Sequence, residues 1–369
     1  MYAPEQGLFK AELFIKQLGD AYQAQLTTSS GQTLTATLDG QPNLPPPGTG
    51  APLDYGTRLF EWVFRGELRN GFQMLKELSR GSESEWPAMR ILLKLEPDSP
   101  LAELIWETMC PSPSDLPIAA SAAFSRYLHS TTPSRPVVWD RPIRILLIVA
   151  NPEGLQRFDL DSVDQTLERS VLQGAEQQLE GRIVVKRLLK AQLDDIRREE
   201  HVGYHITHLL AHAIPKDGRG GVVLADSMGK ATIVSLDEVA EAIASPQDVT
   251  APYLVFLALP VNGEAPHGRV LMELSGLLVR AGVQSVVVLQ APIEPDSLMT
   301  FMEQFYRVLL DTGAIDVAVA EGRKKMFMNA PTSWDWTWPV LCSRAADSGL
   351  QHRLSPSMES TVSKITFGA

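Results

Sequence analysis

The sequence predicts an α/β protein in which a mostly parallel sheet flanked by helices follows a smaller α+β domain. Three observations carry that expectation. Beyond about residue 143, short apolar runs alternate with amphipathic helical segments, the pattern of a parallel sheet buried on both faces. Earlier in the chain, apolar and polar residues alternate in short runs broken by Gly and Asp, as they do in antiparallel strands. The length of 369 residues is enough for two compact units.

In the first part, LFKAELFIKQL, AYQAQLTT and QTLTATLD read as strands. QPNLPPPGTGAP, rich in Pro and Gly, cannot pair as a strand and reads as an exposed loop. RLFEWVFRGELRNGFQMLKELSRG has helical apolar spacing with a glycine interruption, MRILLKLEP is a compact strand, and LAELIWETM a short helix. The Pro- and Ser-rich stretches CPSPSDLPIAAS and HSTTPSRPVVWDRP place the domain boundary so that the units are 1–140 and 141–369.

The second part keeps a strict rhythm. IRILLIVANP, RIVVKRLL, YHITHLLAH, YLVFLALP and QSVVVLQ are strands. LDSVDQTLERSVLQGAEQQL, AQLDDIRREE, SLDEVAEAIAS, GRVLMELSGLLVRAG and EPDSLMTFMEQFYRVLLDTG are the helices between and after them. In such a sheet, ligands and reacting groups gather at the carboxyl ends of the strands. The ends that matter here are LLAHA and LALPVNGE.

Composition narrows the function classes. With a net charge of -11 the chain is not built for phosphate backbones, which need clustered cations, so no nucleic acid is expected. Arg197 and Arg198 are followed by Glu199 and Glu200, and Arg323, Lys324 and Lys325 end a helical pattern; both groups read as solvated helix surface. No apolar run approaches the roughly 18 residues of a membrane span and the N-terminus has no signal-like core, so a cytoplasmic protein without membrane contact is expected. Cys110 and Cys342, far apart and without CxxC spacing, read as reduced, packed thiols.

His205, His208 and His212 raise the question of a metal. On a strand, His208 and His212 would stand about 13 Å apart, and no carboxylate lies within the segment, so neither metal nor cofactor is expected. DGRGG lacks the Lys and Ser/Thr of a phosphate loop and reads as a turn. Trp334, Trp336 and Trp338 alternate at strand spacing and read as core.

Two strand ends carry a family resemblance. THLLAHAI, with His208, His212 and Ala213, and LVFLALPVNGE, with Ala258, Leu259 and Pro260, resemble the catalytic signatures of the CHAT family, a branch of the caspase-like cysteine peptidases. The family pattern is H-x-x-x-H-G, then a strand ending in Asn-Ala-Cys with a Gly soon after. The likeness continues through LSGLLVRAGVQSVVVLQAPIEPDS, MEQFYRVLLDTGAIDVAVAEGRKKM and WDWTWPVLCSR. Before residue 140 the strand RILLKL, Trp106 with Glu107, and Ser125 to Leu128 are similar to an accessory region found before some CHAT domains. The resemblance implies a caspase-like sheet with a catalytic-position histidine at His212.

The departures set the functional expectation. Pro260 at the nucleophile's position has neither a thiol nor an N–H to hold an oxyanion. Ala213 replaces a glycine, and a Cβ disfavours positive φ. Cys110 and Cys342 lie in the wrong segments to substitute. His212 is then retained but idle, and His208, Ala213, Val261, Asn262 and Gly263 are expected to line a binding groove. The expected protein is a catalytically inactive CHAT member, a binding, scaffold or regulatory subunit in a bacterial defence or signalling system. Its partner would be a protein, either an active peptidase or another copy of the same chain. The alternative is an active caspase-like cysteine endopeptidase with a displaced nucleophile.

Overall fold

The computed structural model describes residues 9–80, 86–96, 99–131, 143–155, 183–216, 219–244, 251–258, 267–291 and 293–344. Strands β1 (Phe9–Leu18), β2 (Ala21–Thr28) and β3 (Thr33–Leu38) form an antiparallel meander. Their alternation sorts the two faces: Leu13, Ala24 and Leu26 are fully buried, while Thr33, Thr35 and Thr37 are exposed. Helices α1 (Pro52–Val63) and α2 (Gly66–Arg80) cover the apolar face with Tyr55, Leu59, Phe60 and Phe72. Gly66 turns the chain between them at φ +49°, a conformation that side chains with a Cβ resist.

Strand β4 (Met89–Leu95) runs parallel to β1. The expected helix over LAELIWETM is instead a pair of 3-10 turns, Pro100–Glu103 and Trp106–Thr108. Between them Ile105 donates its N–H to the Tyr55 hydroxyl rather than to a preceding carbonyl, which interrupts the helix. A single turn, α3 (Ile118–Ser121), leads into β5 (Ala123–Tyr127).

The later elements follow the expected alternation except at β8 to β11, where four strands succeed one another without a helix. They are β6 (Ile143–Val149), β7 (Ile183–Leu189), α4 (Leu193–Glu200), β8 (Ile206–Leu210), β9 (His212–Lys216), β10 (Arg219–Ala225), β11 (Ala231–Ser235) and α5 (Leu236–Ile243). β12 (Leu254–Ala258), α6 (His267–Ala281), β13 (Ser285–Leu289), α7 (Pro295–Thr312), α8 (Ile315–Asn329) and β14 (Pro339–Ser343) follow among the described residues. The helix expected over LDSVDQTLERSVLQGAEQQL lies outside the described residues.

Among the described residues, eleven strands form one mixed, mostly parallel sheet in the order β3-β2-β1-β4-β5-β14-β13-β12-β8-β6-β7, and β11-β10-β9 form a small second one. The central strands of the large sheet are buried on both faces. Leu146 and Ile148 enter a cluster with α5 and α6, while Ile145, Leu147 and Val149 enter another with α7 and α8. This is why these strands read as unbroken apolar runs.

The two parts of the chain meet at β14, which pairs with β13 on one side and β5 on the other. Glu107 and Arg126 are buried at this seam, and Gln290 at the end of β13 donates to Glu107 and accepts from Arg126. Arg323 corrects an expectation: instead of ending a solvated helix face, it is fully buried. Its guanidinium donates to the carbonyls of Pro339 (2.8 Å), Phe124 (3.1 Å) and Ala119 (3.4 Å). Lys324 beside it pairs with Glu321.

The tryptophans are core but not a strand. Asp335–Thr337 is a 3-10 turn, Trp336 is buried, and Trp334 stacks on Trp338 at 5.7 Å while donating to the Gly50 carbonyl.

Candidate functional site

The crevice side of the sheet is formed by the carboxyl ends of β6, β8 and β12. Their in-register pairing brings Val149, Leu210 and Ala258 to one level. The Ala150 N–H donates to the Leu210 carbonyl, and immediately beyond, at Ala211, the chain leaves the large sheet. YHITHLLAH is therefore two strands rather than one, with His208 on β8 and His212 opening β9.

His212 sits at this exit, 3% exposed, opposite Val223 of β10. Burial lowers its pKa, so the imidazole is neutral at physiological pH. A neutral ring can accept one proton and donate another, the equipment of a general base, but it needs a reacting group within hydrogen-bond reach.

His208 is not part of any groove, which corrects its expected place in one. Pairing between Leu147 and Phe256 points its side chain under α7, where it is 2% exposed. Its ring stacks on Phe256 at 5.0 Å, and Nε2 shares a hydrogen bond with the Tyr306 hydroxyl. Burial holds its pKa down at about 3, so it stays uncharged. It is a satisfied core histidine.

Ala213 is likewise corrected. Its methyl is fully buried in the core with Val222 and Leu224, so it does not line the groove. Among the described non-glycine residues only Lys190 has positive φ, so Ala213 bears no left-handed strain. Pro260, Val261, Asn262 and Gly263 lie outside the described residues.

Neither cysteine is placed to attack a carbonyl beside His212. Cys110 is buried in the first part of the chain, its Sγ donating to the Ser112 carbonyl at 2.9 Å, and burial pushes its thiol pKa up to about 11. Cys342 on β14 lies 3.7 Å from Met272 Sδ, and its burial raises the thiol to about 12. Register puts Cys342 beside Val286, Val286 beside Val255 and Val255 beside Thr207. Three strand spacings, about 14 Å, thus separate Cys342 from β8, and His212 lies further along on β9.

No group of three or more His, Cys, Asp or Glu among the described residues could hold a metal ion. Sequence reasoning missed the β10–β11 hairpin beside His212. Its signal was present in ADSMGKA, where Asp226 Oδ1 accepts from the N–H groups of Met228 and Lys230 and Gly229 takes φ +80°.

The family model described as the CHAT domain matches residues 53–348, from α1 to just beyond β14. The chain belongs to the CHAT domain family. The match crosses the β5–β14 seam, so the CHAT segment draws on strands from both parts of the sequence. No curated protein sequence matches the chain.

Among solved structures, this CHAT protein is similar to the Arg-specific cysteine proteinase gingipain R. The identity is 10% and the TM-score 0.45, over 80% of this chain and 70% of that one. It is also similar to the Saccharomyces cerevisiae separase–securin complex in two structures. The first has 10% identity, a TM-score of 0.39 and coverage of 75% of this chain and 17% of that one. The second has 12% identity, a TM-score of 0.38 and coverage of 77% and 17%.

Proposed function

We propose that this CHAT-family protein binds and regulates a protein partner and does not itself cut peptide bonds. The supporting observation is the mismatch between His212 and the available thiols. The histidine is neutral at the sheet exit, whereas Cys110 and Cys342 are buried, protonated and remote from it. By the resemblance of LVFLALPVNGE to the family signature, Pro260 falls where the nucleophile is expected. A parallel sheet retains its crevice and edges when the nucleophile is lost, and main-chain hydrogen bonding to a peptide needs no thiolate.

The reading includes a cytoplasmic setting in a bacterial defence or signalling system, with an active peptidase or a second copy as partner. No described helix is long and apolar enough to cross a membrane.

The test pairs two measurements on the full chain. Incubation with a broad peptide library should leave every peptide intact, and affinity capture from the host should recover a specific protein. Cleavage that vanishes on Cys110→Ala, Cys342→Ala or His212→Ala would overturn the proposal in favour of a working peptidase.

A further inference from the structure

β7 is the last strand of the large sheet and, among the described residues, pairs with β6 alone. An edge strand offers a row of outward backbone donors and acceptors to any chain that can lie beside it. Val185 and Leu188 anchor β7 to the two core clusters, one on each face. Its remaining side chains are unusual for a parallel strand. Val184 is 51% exposed, Leu189 50%, and Lys186 and Arg187 between them are exposed as well.

Strand alternation gives each face one cation among apolar neighbours: Lys186 between Val184 and Leu188, and Arg187 between Val185 and Leu189. Lys186 lies 3.7 Å from Glu199 on α4, a separation that leaves its ammonium open to solvent and to another carboxylate. Lys190, exposed and at φ +54°, continues the basic row as the chain turns away toward the crevice side. This basic edge stands on a chain whose net charge is -11.

We propose that the β7 edge receives an extended acidic segment of a partner protein, added to the sheet as a further strand. Asp or Glu of that segment would lie across from Lys186 and Arg187, and its apolar residues would cover Val184 and Leu189. Charge alone on an edge is a common guard against unwanted pairing. Guarding does not account for two half-exposed aliphatic side chains set beside the charges. A second copy of the chain is a poor occupant, because β7 against β7 would bring like charges together. The inference rests on the reading above for the partner being a protein, but not on the loss of peptidase chemistry.

The test uses the full chain and a short fluorescent peptide containing Val-Thr-Asp-Asp-Thr-Val, whose adjacent Asp residues point to opposite faces as Lys186 and Arg187 do, followed by anisotropy. Binding is expected, and the Lys186→Glu, Arg187→Glu double variant should weaken it about tenfold or more. Val184→Asp, which keeps both cations, should weaken it as well. Melting curves show whether each variant is folded.

A peptide with alternate backbone nitrogens methylated keeps its charge but cannot extend the sheet, and it should not bind. Equal binding of the methylated peptide, an unaffected double variant, or no binding to wild type would each overturn the proposal. So would a wild-type dimer that becomes monomeric in the double variant, since a second copy would then occupy the edge. None of these outcomes bears on peptide cleavage, so the functional proposal stands or falls separately.

Discussion

Arg126 on β5 meets Glu107 side-on, Nε to Oε1 at 3.0 Å and Nη2 to Oε2 at 2.5 Å, with both side chains almost wholly out of water. The Ala102 and Leu104 carbonyls take further Arg126 donors. The pair therefore fixes the irregular 3-10 segment to the sheet at the point where the two parts of the chain join.

Removing one member of such a pair leaves an uncompensated buried charge. Glu107→Ala should destabilise the fold by about 3–5 kcal/mol, read as a shift in the urea midpoint with an unchanged slope. Replacing both residues with apolar side chains of similar volume should cost less than either single change. A single-variant loss under about 1 kcal/mol would mean that water reaches the pair.

Arg323 is held by three carbonyls from two distant segments, and burial lowers its pKa to about 10. Lysine keeps the charge but loses the planar fork of donors. Arg323→Lys should therefore cost about 2 kcal/mol or more, measured by chemical denaturation. A neutral result would show that charge rather than donor geometry is what this site requires.

His208 provides a pH signature. Its folded pKa is about 3, while an unfolded histidine titrates near about 6.5. Below the unfolded value the unfolded chain binds the extra proton, so stability falls with pH across the window from about 6.5 toward 3. The slope from this one group is about 1.4 kcal/mol per pH unit. Melting curves at about pH 7 and pH 5 should differ less in His208→Phe than in wild type. An identical pH dependence in the two proteins would remove His208 as a source.

Raised thiol pKa values make both cysteines poor nucleophiles. At about pH 8, iodoacetamide should modify neither in the folded protein and both after unfolding, followed by mass spectrometry. Pro260→Cys should give a third thiol but still no robust turnover, because one residue does not rebuild an oxyanion site. Efficient cleavage by that variant would show that the remainder of the machinery is intact.

How much of this was legible depends on whether a residue's neighbours are local. IRILLIV, LVFLA and SVVVL read correctly as buried strands because their surroundings are written into their own unbroken apolarity. Arg323 read wrongly because it stands beside Lys324 and Lys325, and nothing local reveals the Ala119 carbonyl it meets across 204 residues. His208 looked like a site residue from its place before His212. Only the register with Leu147 and Phe256 sends it into the core instead. The break at Ala211 was hidden because the residues on either side are both extended, and only pairing partners distinguish one strand from two.

The position of β14 has a consequence for how the protein is made. Strands β5 and β13 flank a strand that is the last described element to leave the ribosome. Until Pro339–Ser343 emerges, the nascent chain carries two unsatisfied strand edges, one on each part, and neither can find its native neighbour. Parallel pairing across such sequence distances is slow and leaves those edges available to other chains. Because β14 satisfies both edges at once, polypeptides truncated before Pro339 should expose β5 and β13 together and be ready clients of chaperones and proteases.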